Sequence, residues 1–109
     1  MTLFAASLHL LGLSQSEAAD FLDVRPDTLK SWCSGRRNPP EGIWAPLRAL
    51  YERQQIAVDH ALELIEEKRP DEIAPAMKGP RSTSWPSEGA HMAVAAAVAL
   101  SVDLPVIDE

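Results

Sequence analysis

QSEAADFLDVRPDTLKSWCS, residues Gln15 to Ser34, is the stretch whose reading decides the fold. Ala18, Ala19, Leu22, Val24, Leu29 and Trp32 are the apolar positions that set its spacing. Ala18 to Leu22 is an i,i+4 step and Leu29 to Trp32 an i,i+3 step, so each pair lies on one helical face. Asp23-Val24-Arg25-Pro26 breaks the periodicity, and Val24 is the residue there that favours burial. Two short helices that cross steeply need a small residue at their closest approach, which Ala18-Ala19 supplies. The spacing therefore predicts a helix–turn–helix whose second helix protrudes far enough to enter a DNA major groove.

Outward from this stretch, the boundaries follow from local chemistry. Thr2 can cap a first helix through about Leu11, with Phe4, Leu8 and Leu11 on its inner face and Gly12 closing it. Ser14 and Glu17 make a capping box for the second helix. Pro26 suits the first position of the third helix, where its missing N–H costs nothing, and Asp27 favours the positive helix start. Gly35 ends that helix, and Arg36-Arg37-Asn38-Pro39-Pro40 reads as a stiff basic loop. A short turn is expected over Glu41 to Ala45, because Pro46 disfavours helical geometry just before it.

A long helix is expected from Pro46 to Lys68. Leu47, Leu50, Tyr51, Val58, Ala61, Leu62 and Ile65 recur at three- and four-residue steps, and its charged residues face out. Residues 69–84, rich in proline, read as a linker. Trp85-Pro86-Ser87-Glu88 looks like a helix start, Ala90 to Leu100 is alanine-rich and almost uncharged, and Val102 to Ile107 reads as a short edge strand. A helix with so little polar surface is usually buried on more than one side. The expected solution is a homodimer that buries Val58, Leu62, Ile65, Trp85, Val94, Val98, Leu104 and Val106 across a two-fold axis. The alternative is a tail that folds back on its own first domain.

The run Leu11-Gly12-Leu13-Ser14-Gln15-Ser16-Glu17-Ala18-Ala19, followed by Val24, Thr28, Leu29, Trp32, Ser34-Gly35-Arg36-Arg37 and Pro39, resembles the Cro/CI (XRE-type) repressor domain over residues 2–67. The resemblance implies a mainly α fold, a lambda-repressor-like bundle with a long fourth/fifth helix over residues 1–68, and the tail's own residues add a small helix-plus-strand dimerisation element over residues 85–109. Two departures stand out. The family usually has Gly at the interhelical turn, where this chain has Asp23, a residue that enters the left-handed region at modest cost. It often has an acidic residue after the recognition-helix Trp, where this chain has Cys33. The whole arrangement resembles small phage and mobile-element autorepressors, including anti-CRISPR-associated repressors.

The net charge of -6 over 109 residues is unusual for a nucleic-acid binder until it is divided. Residues 1–55 carry six basic and six acidic groups, so the whole deficit belongs to the second half. Arg25, Lys30, Arg36 and Arg37 cluster around the expected recognition helix. A neutral domain attracts DNA weakly, which places more weight on shape and dimer geometry.

Individual roles follow from position. Gln15 matches the family position that hydrogen-bonds a phosphate, where helix N-terminal amides also point. Arg25, Asp27, Lys30 and Ser31 are expected on the exposed face opposite Leu29 and Trp32. Arg or Lys can donate to guanine O6 and N7, and Asp can accept from cytosine N4. Asp27 could equally cap its helix. Thr28, Arg36, Arg37 and Asn38 are phosphate-contact candidates, the bland alternative being a solvated loop. Trp32 and Trp44 are expected in the core.

Other chemistry finds little support. His9, His60 and His91 are scattered, Cys33 is alone, and no spacing recommends a metal site. No glycine-rich phosphate loop, cofactor motif or apolar-set carboxylate pair points to an enzyme. No apolar run suits a bilayer, so a cytoplasmic protein is expected. Three functions follow: a homodimeric repressor binding a palindromic operator in double-stranded DNA, an antitoxin whose acidic half masks a toxin, or a protein-interaction module. RNA is a further possible target.

Overall fold

A computed structural model of the protein describes residues 1–69 and 85–106. It is mainly helical: α1 (Leu3–Leu11), α2 (Gln15–Leu22), α3 (Pro26–Cys33), a 3-10 turn (Glu41–Ile43), α4 (Trp44–Lys68) and α5 (Glu88–Ser101). The expected caps close the first helices. The Thr2 hydroxyl accepts from the Ala5 amide at 3.1 Å, and Gly12 ends α1 at φ 80°. Ser14 and Glu17 form the reciprocal capping box, their backbone amides bonding each other's side chains at 2.9 and 3.1 Å. Asp23 holds the left-handed turn at φ 55°, ψ 49°. Its amide and that of Val24 bond Asp20 O and Ala19 O, so the last carbonyls of α2 are satisfied as the chain reverses.

The core forms where α1, α2, α3 and the start of α4 converge. Phe4, Leu8, Leu11, Leu13, Ala18, Ala19, Leu29, Trp32, Cys33, Leu47 and Leu50 are all buried in it. Ala18 and Leu29 retain no exposure at all, as the close approach of α2 and α3 requires. The Phe4 ring meets Trp32 and Trp44 edge-on, each at 5.7 Å between centroids, a geometry that suits the ring quadrupoles. Thr2 adds a tie from α1 to α3, its hydroxyl donating to Cys33 O at 2.8 Å.

α4 begins two residues earlier than its proline suggests. Pro46 is the third helical residue, a position whose N–H has no intrahelical acceptor anyway. The 3-10 turn runs directly into Trp44, which is packed against the core through Phe4. That packing outweighs the mild preference of Ala45 for extended geometry.

The tail finds part of its cover within its own chain. α5 packs against α4 and α1 of its own chain, which is the fold-back alternative. Val58 and Val98 are 7% and 6% exposed within the single chain, so neither has surface left to bury against a second copy. Trp85 packs on the same core, with the Arg53 guanidinium 4.9 Å above its ring. Intrachain burial of one large apolar side chain is worth about 1.5–3 kcal/mol and needs no second molecule. Leu62, Ile65, Val94 and Leu104 are half-buried, and Val106 is exposed. Of the expected strand, Val106 takes a β-bridge position, Val102 to Pro105 are irregular, and Ile107 lies outside the described residues. Of the expected linker, only Arg69 lies among the described residues. It ends α4 in the left-handed region, at φ 48°.

Candidate nucleic-acid interface

α3 is short, and its exposed surface is narrower than the spacing suggests. Successive residues turn by about 100° around a helix, so eight residues sample every direction. Leu29, Trp32 and Cys33 take the inner side, and Pro26, Asp27 and Lys30 are left exposed. Asp27 and Lys30 are three residues apart and neighbour each other on the outer face. Arg25, the exposed N-cap residue of α3, makes no side-chain cap bond there.

Ser31 does not belong to that face. It is 3% exposed, and its hydroxyl donates to Thr28 O at 2.6 Å. Its carbonyl accepts from the Arg37 amide at 3.1 Å and from the Ser34 hydroxyl at 3.2 Å. Ser31 is thus a knot that ties the following loop to the helix, and a base contact from it is excluded by burial. A serine tolerates this position because every polar atom it brings inside finds a partner. Thr28 is half-buried, with its carbonyl engaged by that hydroxyl.

The knot fixes the path of the basic loop. Gly35 turns the chain at φ 81°, where a side chain would be strained, and the Arg36 amide bonds the Ser34 hydroxyl at 3.4 Å. Arg36, Arg37 and Asn38 are exposed beyond it. Gln15 is exposed as the first residue of α2. The capping box uses the amides of Ser14 and Glu17, so those of Gln15 and Ser16 have no intrahelical acceptor at the positive end of the helix.

Arg25, Lys30, Arg36 and Arg37 thus stand exposed on one helix and its flanks, and none of them enters an ion pair among the described residues. Arg48 is different, lying 3.9 Å from Glu41. Burial pushes the Cys33 thiol up from its ordinary value, which keeps it protonated and unreactive at neutral pH. No group of three or more metal-ligating side chains gathers among the described residues.

One polar residue with a structural part was not anticipated. Gln54 is 4% exposed on α4, and its side-chain amide donates to Leu11 O at 3.0 Å and to Ala90 O at 3.1 Å. The sign of it in the sequence is its place between Leu50 and Val58, one turn from each, in the middle of the apolar stripe. No helix among the described residues is long and apolar enough to cross a membrane. No protein-family model matches the chain, and neither does any curated protein.

Proposed function

We propose that the chain is a sequence-specific, DNA-binding transcriptional repressor that docks α3 in the major groove of an operator. The observation that carries this is the set of four exposed basic side chains around α3, none of which enters an ion pair among the described residues. A cation solvated by choice is common on any surface. Four of the six basic groups of residues 1–55 gathered on one eight-residue helix and its flanks favour an external polyanion. Lys30 is the base-reading candidate, with Arg25 and Asp27 beside it, and Arg36, Arg37, Asn38 and Gln15 are the phosphate contacts. Thr28 is left with a backbone contact at most.

This proposal includes a second copy of the chain. Two docked α3 helices related by a two-fold axis would meet half-sites about one helical turn apart, or a multiple of it. The outward side of α5 supports such pairing: Gly89 to Leu100 carries no Asp, Glu, Lys or Arg, and Leu100 is 88% exposed. In a chain of net charge -6, an uncharged surface is where two copies repel least.

A fluorescence-anisotropy titration on the DNA upstream of its own gene, in a salt series, tests the docking. Lys30→Ala should remove the preference for operator over unrelated duplex. Arg36→Ala should weaken binding to all sequences and lower the salt slope by about one. Retained discrimination in Lys30→Ala contradicts the docking. Co-purification of a small basic protein with no duplex affinity would favour the antitoxin alternative.

A further inference from the structure

The C-terminal end of α1 leaves carbonyls that no helix can satisfy internally: the Gly12 and Leu13 amides take His9 O and Leu8 O, Gln54 of α4 takes Leu11 O, and the tail takes Gly12 O just beyond. Gln54 spends both side-chain amide hydrogens on two backbone carbonyls, Leu11 O at the end of α1 and Ala90 O in the first turn of α5. The Ser87 hydroxyl donates to Gly12 O at 3.0 Å and accepts from the Ala90 amide at 2.9 Å. Gly12 and Gly89 bring their backbones together so closely that a Cβ on either would overlap the carbonyl of the other. Trp85, packed on the core under Arg53, anchors the chain just before this contact. Gly12 lies two residues before Ser14, the cap of α2, and three before Gln15.

We propose that residues 85–101 are a strap that holds the α1–α2 corner, and that Gln54 is the positioning residue through which the strap sets Gln15 for its phosphate contact. The second clause rests on Gln15 meeting a phosphate, as given above. Leu11 O is held by Gln54 and Gly12 O by the strap. With those bonds gone, Gly12 regains the backbone freedom of a glycine, and the start of α2 shifts relative to α3. A contact displaced by about 1 Å is enough to forfeit a charge-assisted hydrogen bond. The tail is then part of the reading head.

The test uses the full chain carrying Gln54→Met, which keeps the volume and removes both donors, and Ser87→Ala as a milder variant. Amide hydrogen exchange is measured without DNA. Expected is exchange at Gly12 and Leu13 about tenfold faster in Gln54→Met, with Leu29 and Trp32 on α3 unchanged. The same pattern should be weaker in Ser87→Ala. Unchanged Gly12 and Leu13, or an equal rise on α3, overturns the strap. In the DNA arm, Gln54→Met should weaken duplex binding about tenfold with no change in salt slope, because Gln15 is uncharged. The double variant with Gln15→Ala should bind no worse than Gln15→Ala alone. Additive losses overturn the transmission through Gln15. A native chain that binds no duplex sinks the functional proposal, and the exchange data then decide the strap by themselves.

Discussion

Asp23, Ser31 and Cys33 show how single side chains set the shape of the α2–α3 pair. Asp23 sits at φ 55°, and its short polar side chain makes that conformation tolerable. Asp23→Val should destabilise the fold by about 1–2 kcal/mol, read from the urea midpoint, since a β-branched residue pays most for a positive φ. An unchanged midpoint would mean that the turn relaxes. The capped ends and the Asp23 turn were legible in the sequence because each depends on residues within four positions. The burial of Ser31 was not, because it depends on the path of the loop after Gly35. Cys33 titrates higher in the folded chain than in the unfolded one. As pH rises through the ordinary thiol range, the unfolded chain loses that proton first, so stability falls until the raised folded pKa is passed. Cys33→Ala should therefore flatten the alkaline side of the stability profile, and an alkaline slope as steep as the native one would contradict this.

Among the elements, α5 departs furthest from what its sequence suggests. Its lack of charge points to burial on more than one side, of which the chain itself covers one, and periodicity carries no information about which molecule supplies the cover. What settles the first side is the Gly12–Gly89 contact with Gln54 beneath it, a long-range match that no local pattern encodes. Ser87 works twice, as the cap of α5 and as donor to Gly12 O. Ser87→Ala should cost about 1–2 kcal/mol in urea unfolding, near the upper end for a cap. A loss below about 0.5 kcal/mol would show that the second bond contributes nothing. α4 was legible in type and nearly so in length. Only its first turn was missed, because Trp44 is drawn in by Phe4 rather than by its neighbours in sequence.

For the whole molecule, the fold-back of the tail changes what truncation means. A chain ending at residue 78 loses the cover supplied by Trp85, Ala90 and Val98 and one acceptor of Gln54. Its melting temperature should fall by roughly 10 °C or more, given about 1.5–3 kcal/mol per large buried side chain. Equal melting of the two chains would show that α5 adds no stability to the bundle. The charge division was readable from composition alone, and it points to the proposed DNA-facing surface only together with the exposure of Arg25, Lys30, Arg36 and Arg37. Dimer geometry was not readable, because two of the residues expected at the two-fold axis are buried within one chain. The most direct measurement is the salt dependence of duplex binding for the native chain beside Lys30→Ala and Arg36→Ala. Operator-specific binding that loses its discrimination in Lys30→Ala, with a salt slope about one unit lower in Arg36→Ala, is the result expected if α3 docks as proposed. Binding that is absent at low salt, or indifferent to both substitutions, would contradict it.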